Sequence, residues 1–138
     1  MILFPALLTA ALLAGLAAVH VYWSSGGKAG LQAALPEVRG RPAFTPGPAL
    51  TLLVAAGLAG ASLVTVLFAL NGGPPLLRAG VIGLGAAFAL RALGDFRVMG
   101  LSKRVRGTRF AALDDRLYTP LCLLLAASLL WLGLAGSC

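Results

Sequence analysis

The stretch MILFPALLTAALLAGLAAVHVYW (1–23) decides the fold of this chain. Only Thr9 interrupts its apolar part, and the stretch ends in His20, Tyr22 and Trp23, just before two serines and two glycines. An α-helix needs about 20 consecutive apolar residues to cross the hydrocarbon core of a bilayer. An uncharged run of this length therefore predicts a transmembrane helix.

The composition of the whole chain supports the same interpretation. Apolar residues make up 59% of the 138 residues and charged residues 11%, whereas soluble domains have about 45–50% and about 25%. So few charges cannot cover the surface of a soluble protein. The four apolar blocks predicted to be spans are residues 2–23, 49–70, 76–95 and 118–134. We therefore predict a single all-α domain over residues 1–138, a polytopic membrane protein with a bundle of four transmembrane helices.

The start of the fourth span has two interpretations. Thr119 and Pro120 fit an N-cap residue followed by a proline at the first helical position, which places the start near Tyr118. Alternatively, the helix begins near Phe110 and kinks at Pro120, because a proline inside a helix removes one hydrogen bond.

Lysine and arginine are concentrated in two of the three connections. Nine of the eleven basic residues lie within residues 24–48 and 96–117, and an even number of spans places these two connections on one side of the membrane. Short loops rich in lysine and arginine stay in the cytoplasm. We therefore predict a multi-pass protein of the bacterial inner membrane, with both termini outside and both of these loops cytoplasmic.

The basic segment RVMGLSKRVRGTR (97–109) has two interpretations as well. Its charges are the topology determinant, or they form a polybasic surface for the head groups of anionic lipids. Nucleic acid is not an expected partner, because the loop is short, lacks interleaved aromatic residues and is tied to the membrane at both ends. Membrane lipids are the expected partners.

Small residues recur every four positions on three of the predicted spans. Such stripes let membrane helices approach each other closely. We expect the stripe on the third span to contact a neighbouring helix, and give less weight to the pairs on the first two. The stripe consists of Ala79, Gly83 and Ala87, and the pairs are Ala11 with Gly15 and Ala56 with Gly60.

Polar residues gather at the predicted cytoplasmic ends of the spans. The candidate ligand-binding residues are His20, Tyr22, Trp23, Arg91, Asp95, Arg97, Asp114 and Tyr118. Ionisable residues within a membrane are rare and usually paired, and the i, i+4 spacing predicts a pair between Arg91 and Asp95. The sequence does not decide whether this cluster binds a ligand or only joins the helices to each other. It does not decide the oligomeric state either.

Several kinds of chemistry are disfavoured by the residues present. The single histidine excludes a bis-histidine haem and leaves a metal site short of imidazole ligands, so neither a metal nor a cofactor is expected. Cys122 and Cys138 form no C-x-x-C motif, which argues against a thiol oxidoreductase. The apolar outer half of the bundle argues against an ion channel, which needs polar groups along its path.

Three functions remain compatible with the polar cluster. The first is binding of an amphipathic small molecule or a lipid head group, with Arg91 and Arg97 contacting its anion. The second is a membrane enzyme that uses His20 as acid or base, oriented by Asp114 or Asp95. The third is a structural or partner-binding bundle in which the cluster only joins the helices. No catalytic residue is assigned.

Three segments of the chain resemble the motifs of a known family. HVYWSSGG (20–27), RALGDFR (91–97) and FAALDDRLYTPLC (110–122) are similar, in order and spacing, to motifs of a bacterial family of small four-helix membrane proteins of unknown function. The resemblance covers nearly the whole chain and implies the four-helix fold, but it supplies no activity. The family positions that it implies are His20, Tyr22, Trp23, Gly26, Gly27, Arg91, Gly94, Asp95, Arg97, Asp114, Tyr118 and Pro120, with Asp115 the less typical acid.

Overall fold

Four long helices make up most of the computed structural model. It describes residues 1–136, and Cys138 lies outside this range. Its elements are α1 (Leu3–Ser24), α2 (Leu31–Ala34), β1 (Glu37–Val38), β2 (Arg41–Pro42), α3 (Pro48–Leu70), α4 (Pro75–Leu93), α5 (Arg109–Leu113), a π-helical turn (Asp114–Tyr118) and α6 (Thr119–Ala135). The first three spans are α1, α3 and α4, and the last three helical elements form one continuous fourth span. All four are long and apolar enough to cross a membrane. The predicted bundle of four transmembrane helices is confirmed.

Prolines and glycines set the ends of the second and third spans. Pro48 and Pro75 lie in the first turns of α3 and α4, where the missing N–H of proline has no intrahelical acceptor to lose. Gly72 and Gly73 follow α3 with φ angles of +69° and +72°, a conformation that glycine adopts readily. The N–H of Gly73 donates to the carbonyl of Phe68 at 3.0 Å, which closes the end of α3 and starts the hairpin to α4.

The fourth span follows the second of its two sequence interpretations, with a start at Arg109. Thr108 caps it, because its hydroxyl accepts a hydrogen bond from the N–H of Ala111 at 3.0 Å. Thr119 lies inside the helix and is not an N-cap, since its own N–H donates to the carbonyl of Asp114, five residues back. This wide turn directly precedes Pro120, where a regular α-helix would clash with the proline ring.

The four spans form an antiparallel ring in chain order. The first span packs along the second, and the third packs along the fourth, while smaller contacts between the second and third and between the fourth and first close the ring. The core lies in the centre of the bundle and toward the α3–α4 hairpin. Its buried side chains form two clusters, one of Ala6, Phe68, Val81, Leu129 and Leu132 and one of Leu13, Ala61 and Leu125.

The small-residue stripes expected to pack between helices are exposed, so that prediction is wrong. The exposed residues are Ala79, Gly83 and Ala87, together with both pairs on the first two spans. Close packing occurs instead at two other glycines: a Cβ on Gly85 would lie 2.8 Å from Leu130, and one on Gly133 would lie 2.5 Å from Ile82. Glycine and alanine are so abundant in this chain that several faces of one helix carry them four residues apart. Their spacing therefore does not identify the packed face.

The connection between α1 and α3 covers one end of the bundle, and we call residues 27–47 the cap segment. It contains the one-turn helix α2 and the antiparallel β1–β2 pair, in which Val38 faces Arg41. Leu35 and Pro36 are buried. The cap segment also contacts α5 at the start of the fourth span, so the two basic connections lie at the same end of the molecule.

Candidate functional site

A cavity of about 460 Å³ lies beneath the cap segment. This volume is within the range of about 300–1,000 Å³ typical of small-molecule sites. All four spans and the cap segment contribute to its walls, which are mainly apolar and include Leu16, Leu35, Leu58, Phe88, Phe110 and Leu121. Four of the eight candidate ligand-binding residues line it, namely His20, Trp23, Arg91 and Tyr118.

The cavity forms because the inward faces of the helices separate at this end. On α3, the buried residues Ala61, Thr65 and Phe68 share a face with Leu50 and Val54, by the helical period. Leu50 and Val54 are 50% and 42% exposed, and both line the cavity. The same face therefore packs tightly near the α3–α4 hairpin and opens near the cap segment.

Arg91 is the cationic residue of the cavity wall. Its Nη2 donates to Asp114 Oδ1 at 3.0 Å. Its Nη1 is buried and has no hydrogen-bond partner among the residues that the structure describes. A buried donor without a partner costs about 1–3 kcal/mol. Because Nη1 is buried, Arg91 lines the cavity with the exposed part of its side chain, which is 31% exposed.

His20 contributes an imidazole held in one orientation. Its Nδ1 lies 2.7 Å from the carbonyl oxygen of Leu16, and because a carbonyl only accepts, Nδ1 carries the proton. Nε2 is therefore the ring nitrogen left for a ligand. The ring also makes an edge contact with Trp23, with their centroids 5.1 Å apart. Within the HVYW stretch, His20 and Trp23 thus face the cavity.

Tyr22 is directed elsewhere. Its ring lies against Gly27, where a Cβ would overlap three ring carbons, and the side chain is half exposed. Gly27 therefore has a packing role that its place in the motif did not show.

Two cavity residues also hold the cap segment in place. The hydroxyl of Tyr118 donates to the carbonyl of Ala33 at 3.0 Å. The indole nitrogen of Trp23 donates to the carbonyl of Ala29 at 2.8 Å. The cap segment is thus fixed to the first span and to the fourth by residues that line the cavity.

Asp114 lies behind the cavity wall and is fully buried. Besides Arg91, it accepts hydrogen bonds from the N–H of Gly100 at 2.7 Å and from Lys103 Nζ at 3.1 Å. Lys103 also donates to the carbonyl of Gly100 at 3.1 Å and forms an ion pair with Asp115. Asp114 therefore positions Arg91, since it does not line the cavity itself.

Lys103 is the residue that the sequence did not single out. It belongs to the basic segment 97–109, for which a topology determinant and a polybasic lipid surface were the two interpretations, yet its side chain is fully buried. Its neighbours Arg104 and Arg106 are exposed, and no local pattern distinguishes the three. The signal lies in the distant aspartate pair at 114–115, which only the fold brings next to Lys103.

The expected pair between Arg91 and Asp95 does not form, and that prediction is wrong. Asp95 Oδ1 accepts the backbone N–H groups of Arg97, Val98 and Met99 at 3.0, 2.8 and 3.0 Å. The helix ends at Leu93, and Gly94 turns the chain at a φ of +91°. The i, i+4 spacing of a helix therefore does not apply to Asp95.

The same hydrogen bonds determine the ionisation of Asp95. Desolvation raises its pKa, but the N–H groups of Met99, Arg97 and Val98 stabilise the carboxylate, and the net result is a pKa below the ordinary value of 3.8. Asp95 is exposed, as is Arg97, and neither lines the cavity. Asp95 is thus the residue that folds the loop after α4.

The enzyme hypothesis expected the carboxylate of Asp114 or Asp95 to orient the imidazole of His20. In the described structure the Nδ1 of His20 bonds to a backbone carbonyl, while the oxygens of Asp114 bond to Arg91, Gly100 and Lys103. The imidazole of His20 is therefore oriented by a backbone carbonyl and not by the carboxylate of either aspartate.

The fold and the site define a small polytopic membrane protein, a four-span bundle with a capped, largely apolar cavity at one end. The chain belongs to the family described as "Protein of unknown function (DUF3995)", whose model matches residues 13–129. This match confirms the resemblance carried by the three motifs. No curated protein and no solved structure matches the chain.

Proposed function

We propose that this protein binds an amphipathic small molecule in the cavity beneath the cap segment. The observation that carries the proposal is the cavity itself, a mostly apolar space of about 460 Å³ whose wall includes the partly exposed side chain of Arg91. A ligand with an apolar body and a polar acceptor group suits apolar walls that carry one cationic side chain.

The polar contacts available to such a ligand are few and fixed. Arg91 is held by Asp114, and His20 by the carbonyl of Leu16. A small number of placed polar groups within apolar walls is typical of small-molecule sites. The other two members of the cluster on the wall, Trp23 and Tyr118, supply aromatic surface.

The side of the membrane from which the ligand comes follows from the charges. Nine of the eleven basic residues lie in the two connections at the cavity end of the molecule, and basic loops stay cytoplasmic. We place the cavity in the cytoplasmic leaflet of the bacterial inner membrane, with both termini outside. Membrane lipids and the contents of the cytoplasm are then the sources of the ligand.

A structural bundle is the alternative function, and the buried cluster around Asp114 favours it in part. That cluster joins the end of α4, the following loop and the start of the fourth span. It accounts for Asp114 and Lys103, but it leaves the cavity unexplained.

The test compares two tryptophan substitutions on adjacent residues of α3. Val54 lines the cavity, whereas Leu53 is 68% exposed and is not part of its wall. We expect mass spectrometry to find a molecule that co-purifies with the wild type and with Leu53→Trp but is depleted in Val54→Trp. Adding that molecule back to delipidated wild-type protein should raise its unfolding temperature.

The opposite result separates the two functions. If the three proteins carry the same molecules in the same amounts, and adding them back changes no unfolding temperature, then the cavity holds no specific ligand and the structural function takes its place.

A further inference from the structure

We infer that the cavity opens sideways into the bilayer, through a gap between α3 and α4, and that its ligand is an amphipathic molecule dissolved in the membrane. This rests on the proposed function, and it names the source and class of the ligand. We call the gap the side opening; its edges are Leu50 and Val54 on α3 and Ala87 and Arg91 on α4. Water-soluble molecules of the cytoplasm are then not the ligands of this site.

The face of α3 toward the first span is packed along its length. Thr51 and Ala55 are buried, and they share a helix face with Ser62 by the helical period. The hydroxyl of Ser62 donates to the carbonyl of Ala10 on α1 at 2.8 Å. The cavity is therefore closed between the first two spans.

The face of α3 toward the third span is packed at the hairpin end but not at the cap end. Phe68 is buried in one core cluster with Val81 of α4. Leu50 and Val54 share the face of Phe68 by the helical period, yet both are exposed. Because the same two residues line the cavity, they lie at the edge where the cavity meets the outer surface of the bundle.

The third span separates from α3 in the same direction. A Cβ on Gly80 would lie 3.3 Å from Val64 of α3, so the two helices are in contact there. Ala87 and Arg91 follow Gly80 on the same helix face. Ala87 is exposed and Arg91 is partly exposed. The two helices therefore touch near their hairpin and leave a gap toward the cap segment.

The depth of the side opening places it against lipid. Val54 and Ala87 each lie about 9 Å along the helix axis from the cap-side ends of α3 and α4. Both helices are long and apolar enough to cross a membrane. An opening that extends this far along two apolar spans faces the bilayer.

The end of the cavity toward water is covered instead. Leu35 and Pro36 of the cap segment are buried and line the cavity. Tyr118 and Trp23 hold the cap segment in place through hydrogen bonds to its backbone. A ligand from the water would have to displace the cap segment. A ligand from the bilayer enters between α3 and α4 while these hydrogen bonds stay formed.

The side opening also orients the ligand. Arg91 lies one helical turn closer to the cap-side end of α4 than Ala87 does, and so closer to the membrane surface. An amphipathic molecule in a bilayer keeps its polar part at this surface and its apolar part in the acyl region. The polar group then lies beside the exposed part of Arg91, and the apolar body reaches Leu58 and Phe88 on the cavity wall.

Cys122 reports entry into the cavity. It lines the cavity, and it shares a helix face with the buried residues Ala126 and Leu129 by the helical period. Its thiol is therefore reached from inside the bundle. A second thiol, introduced by Arg104→Cys at an exposed position of the basic loop, reports access from water.

The experiment uses delipidated protein in nanodiscs, with Arg104→Cys and with Cys138→Ser. One sample is treated with a maleimide on a long alkyl chain, which dissolves in the bilayer, and another with a maleimide that carries a sulfonate and stays in water. Peptide mass spectrometry follows the labelling of each thiol over time. We expect the alkyl maleimide to label Cys122, and the charged maleimide to label position 104 but not Cys122.

Two substitutions on adjacent exposed alanines of α4 test the route. Ala87→Trp places an indole in the side opening and should slow the labelling of Cys122 by the alkyl maleimide about tenfold or more, because the indole must move before the reagent passes. Ala86→Trp places the same side chain on the next face of the helix and should leave the rate unchanged. The comparison of the two reagents tests the inference even if Ala87→Trp does not fold.

The other outcomes are distinct. Labelling of Cys122 by the charged maleimide at least as fast as by the alkyl maleimide places the entrance on the aqueous side and overturns the inference. The same rate in both tryptophan variants overturns the side opening. If neither reagent labels Cys122 while position 104 reacts, the cavity is closed to both phases and the inference fails. Failure of the proposed function looks different: the alkyl maleimide then enters as expected, but no co-purified molecule slows it.

Discussion

Lys103 Nζ lies 3.1 Å from Asp114 Oδ2, and both side chains are fully buried. Arg91 occupies the other oxygen of the same carboxylate at 3.0 Å. Taking charges out of water is costly, and a buried pair is stable only while each partner is compensated. Asp114 is the anion common to both contacts, so the loop between the third and fourth spans depends on it.

Asp114→Asn is expected to destabilise the protein strongly, by about 3–5 kcal/mol, because it leaves two cations without their common anion. The matched control is Asp115→Asn, since that side chain is 44% exposed and its loss still leaves buried Lys103 paired with Asp114, so we expect a smaller destabilisation. Thermal unfolding in detergent measures both. Equal losses for the two variants would show that burial does not set the role of Asp114.

A double substitution identifies the partner of Arg91. Arg91→Gln combined with Asp114→Asn should cost less than the sum of the single losses, because the two side chains are in contact. Arg91→Gln combined with Asp95→Asn should be additive, since Asp95 bonds to backbone N–H groups instead. If the losses were additive for Arg91 with Asp114 and less than additive for Arg91 with Asp95, then Asp95 would be the partner of Arg91, as the helical spacing predicts.

The loop after α4 also depends on a close approach of two glycines. Gly94 and Gly100 have φ angles of +91° and +80°, and a Cβ on Gly94 would overlap the carbonyl of Met99. Gly107 has a similar φ of +84°, but no described heavy atom lies within 4 Å of its Cβ position.

Gly94→Ala is therefore expected to destabilise the protein well beyond Gly107→Ala. The second variant carries only the left-handed backbone cost of about 1–2 kcal/mol, whereas the first adds a backbone overlap that no rotamer relieves. Unfolding temperatures of the two alanine variants provide the comparison. A loss at Gly94 no larger than that at Gly107 would mean that the loop shifts freely.

Asp95 gives this loop a dependence on pH with a defined sign. Its pKa is lower in the folded protein than its ordinary value of 3.8, so its carboxylate stabilises the fold above that value and the contribution is lost as the pH falls through the folded pKa. We expect the difference in unfolding temperature between the wild type and Asp95→Asn to be constant near neutral pH. It should narrow below about pH 4. A difference that persists unchanged at pH 3 would show that the charge of Asp95 is not the cause.

The four spans could be predicted from the sequence because a bilayer imposes a length and a composition on any helix that crosses it. The predicted bounds of the first span, 2–23, lie within one residue of Leu3–Ser24. The start of the fourth span was left ambiguous by its own residues. Thr119 and Pro120 carry a valid local start signal, and the long-range contacts of Asp114 and the wide π-helical turn override it.

The sequence predicts the approximate location of the site but not which residues line it. The rarity of polar residues in the spans drew attention to His20, Trp23 and Arg91, and these do reach one cavity wall. Composition cannot separate them from Tyr22, which has the same setting at the end of α1 and faces Gly27 instead. The burial of Lys103 depends on the contact between Gly94 and Gly100 and on Asp114, which are interactions across a folded loop with no periodic signature.

Topology is open to a direct measurement. Arg104 and Asn71 are both exposed and lie at opposite ends of the bundle. In a background without Cys122 and Cys138, we expect Asn71→Cys to react with an impermeant thiol reagent in intact cells and Arg104→Cys to be protected until the cells are opened, because basic loops stay cytoplasmic. The reverse pattern would place the cavity on the outer side of the membrane.

The cap segment should loosen when its bond to the fourth span is removed. Tyr118→Phe keeps the ring of Tyr118 and deletes the hydroxyl that donates to the carbonyl of Ala33 at 3.0 Å. One such hydrogen bond contributes about 1 kcal/mol, which corresponds to roughly fivefold faster amide exchange in α2 if that helix opens as a local unit.

The control for this prediction is Tyr22→Phe. The Tyr22 hydroxyl accepts only a long hydrogen bond of 3.4 Å from the N–H of Ala29, so its loss should change exchange in α2 far less. Amides in the middle of α3 report on the bundle and should exchange at the wild-type rate in both variants. Faster exchange in α3 together with α2 would show that Tyr118 supports the whole bundle. Unchanged exchange in α2 would show that buried Leu35 and Pro36, rather than the Tyr118 hydroxyl, hold the cap segment closed over the cavity.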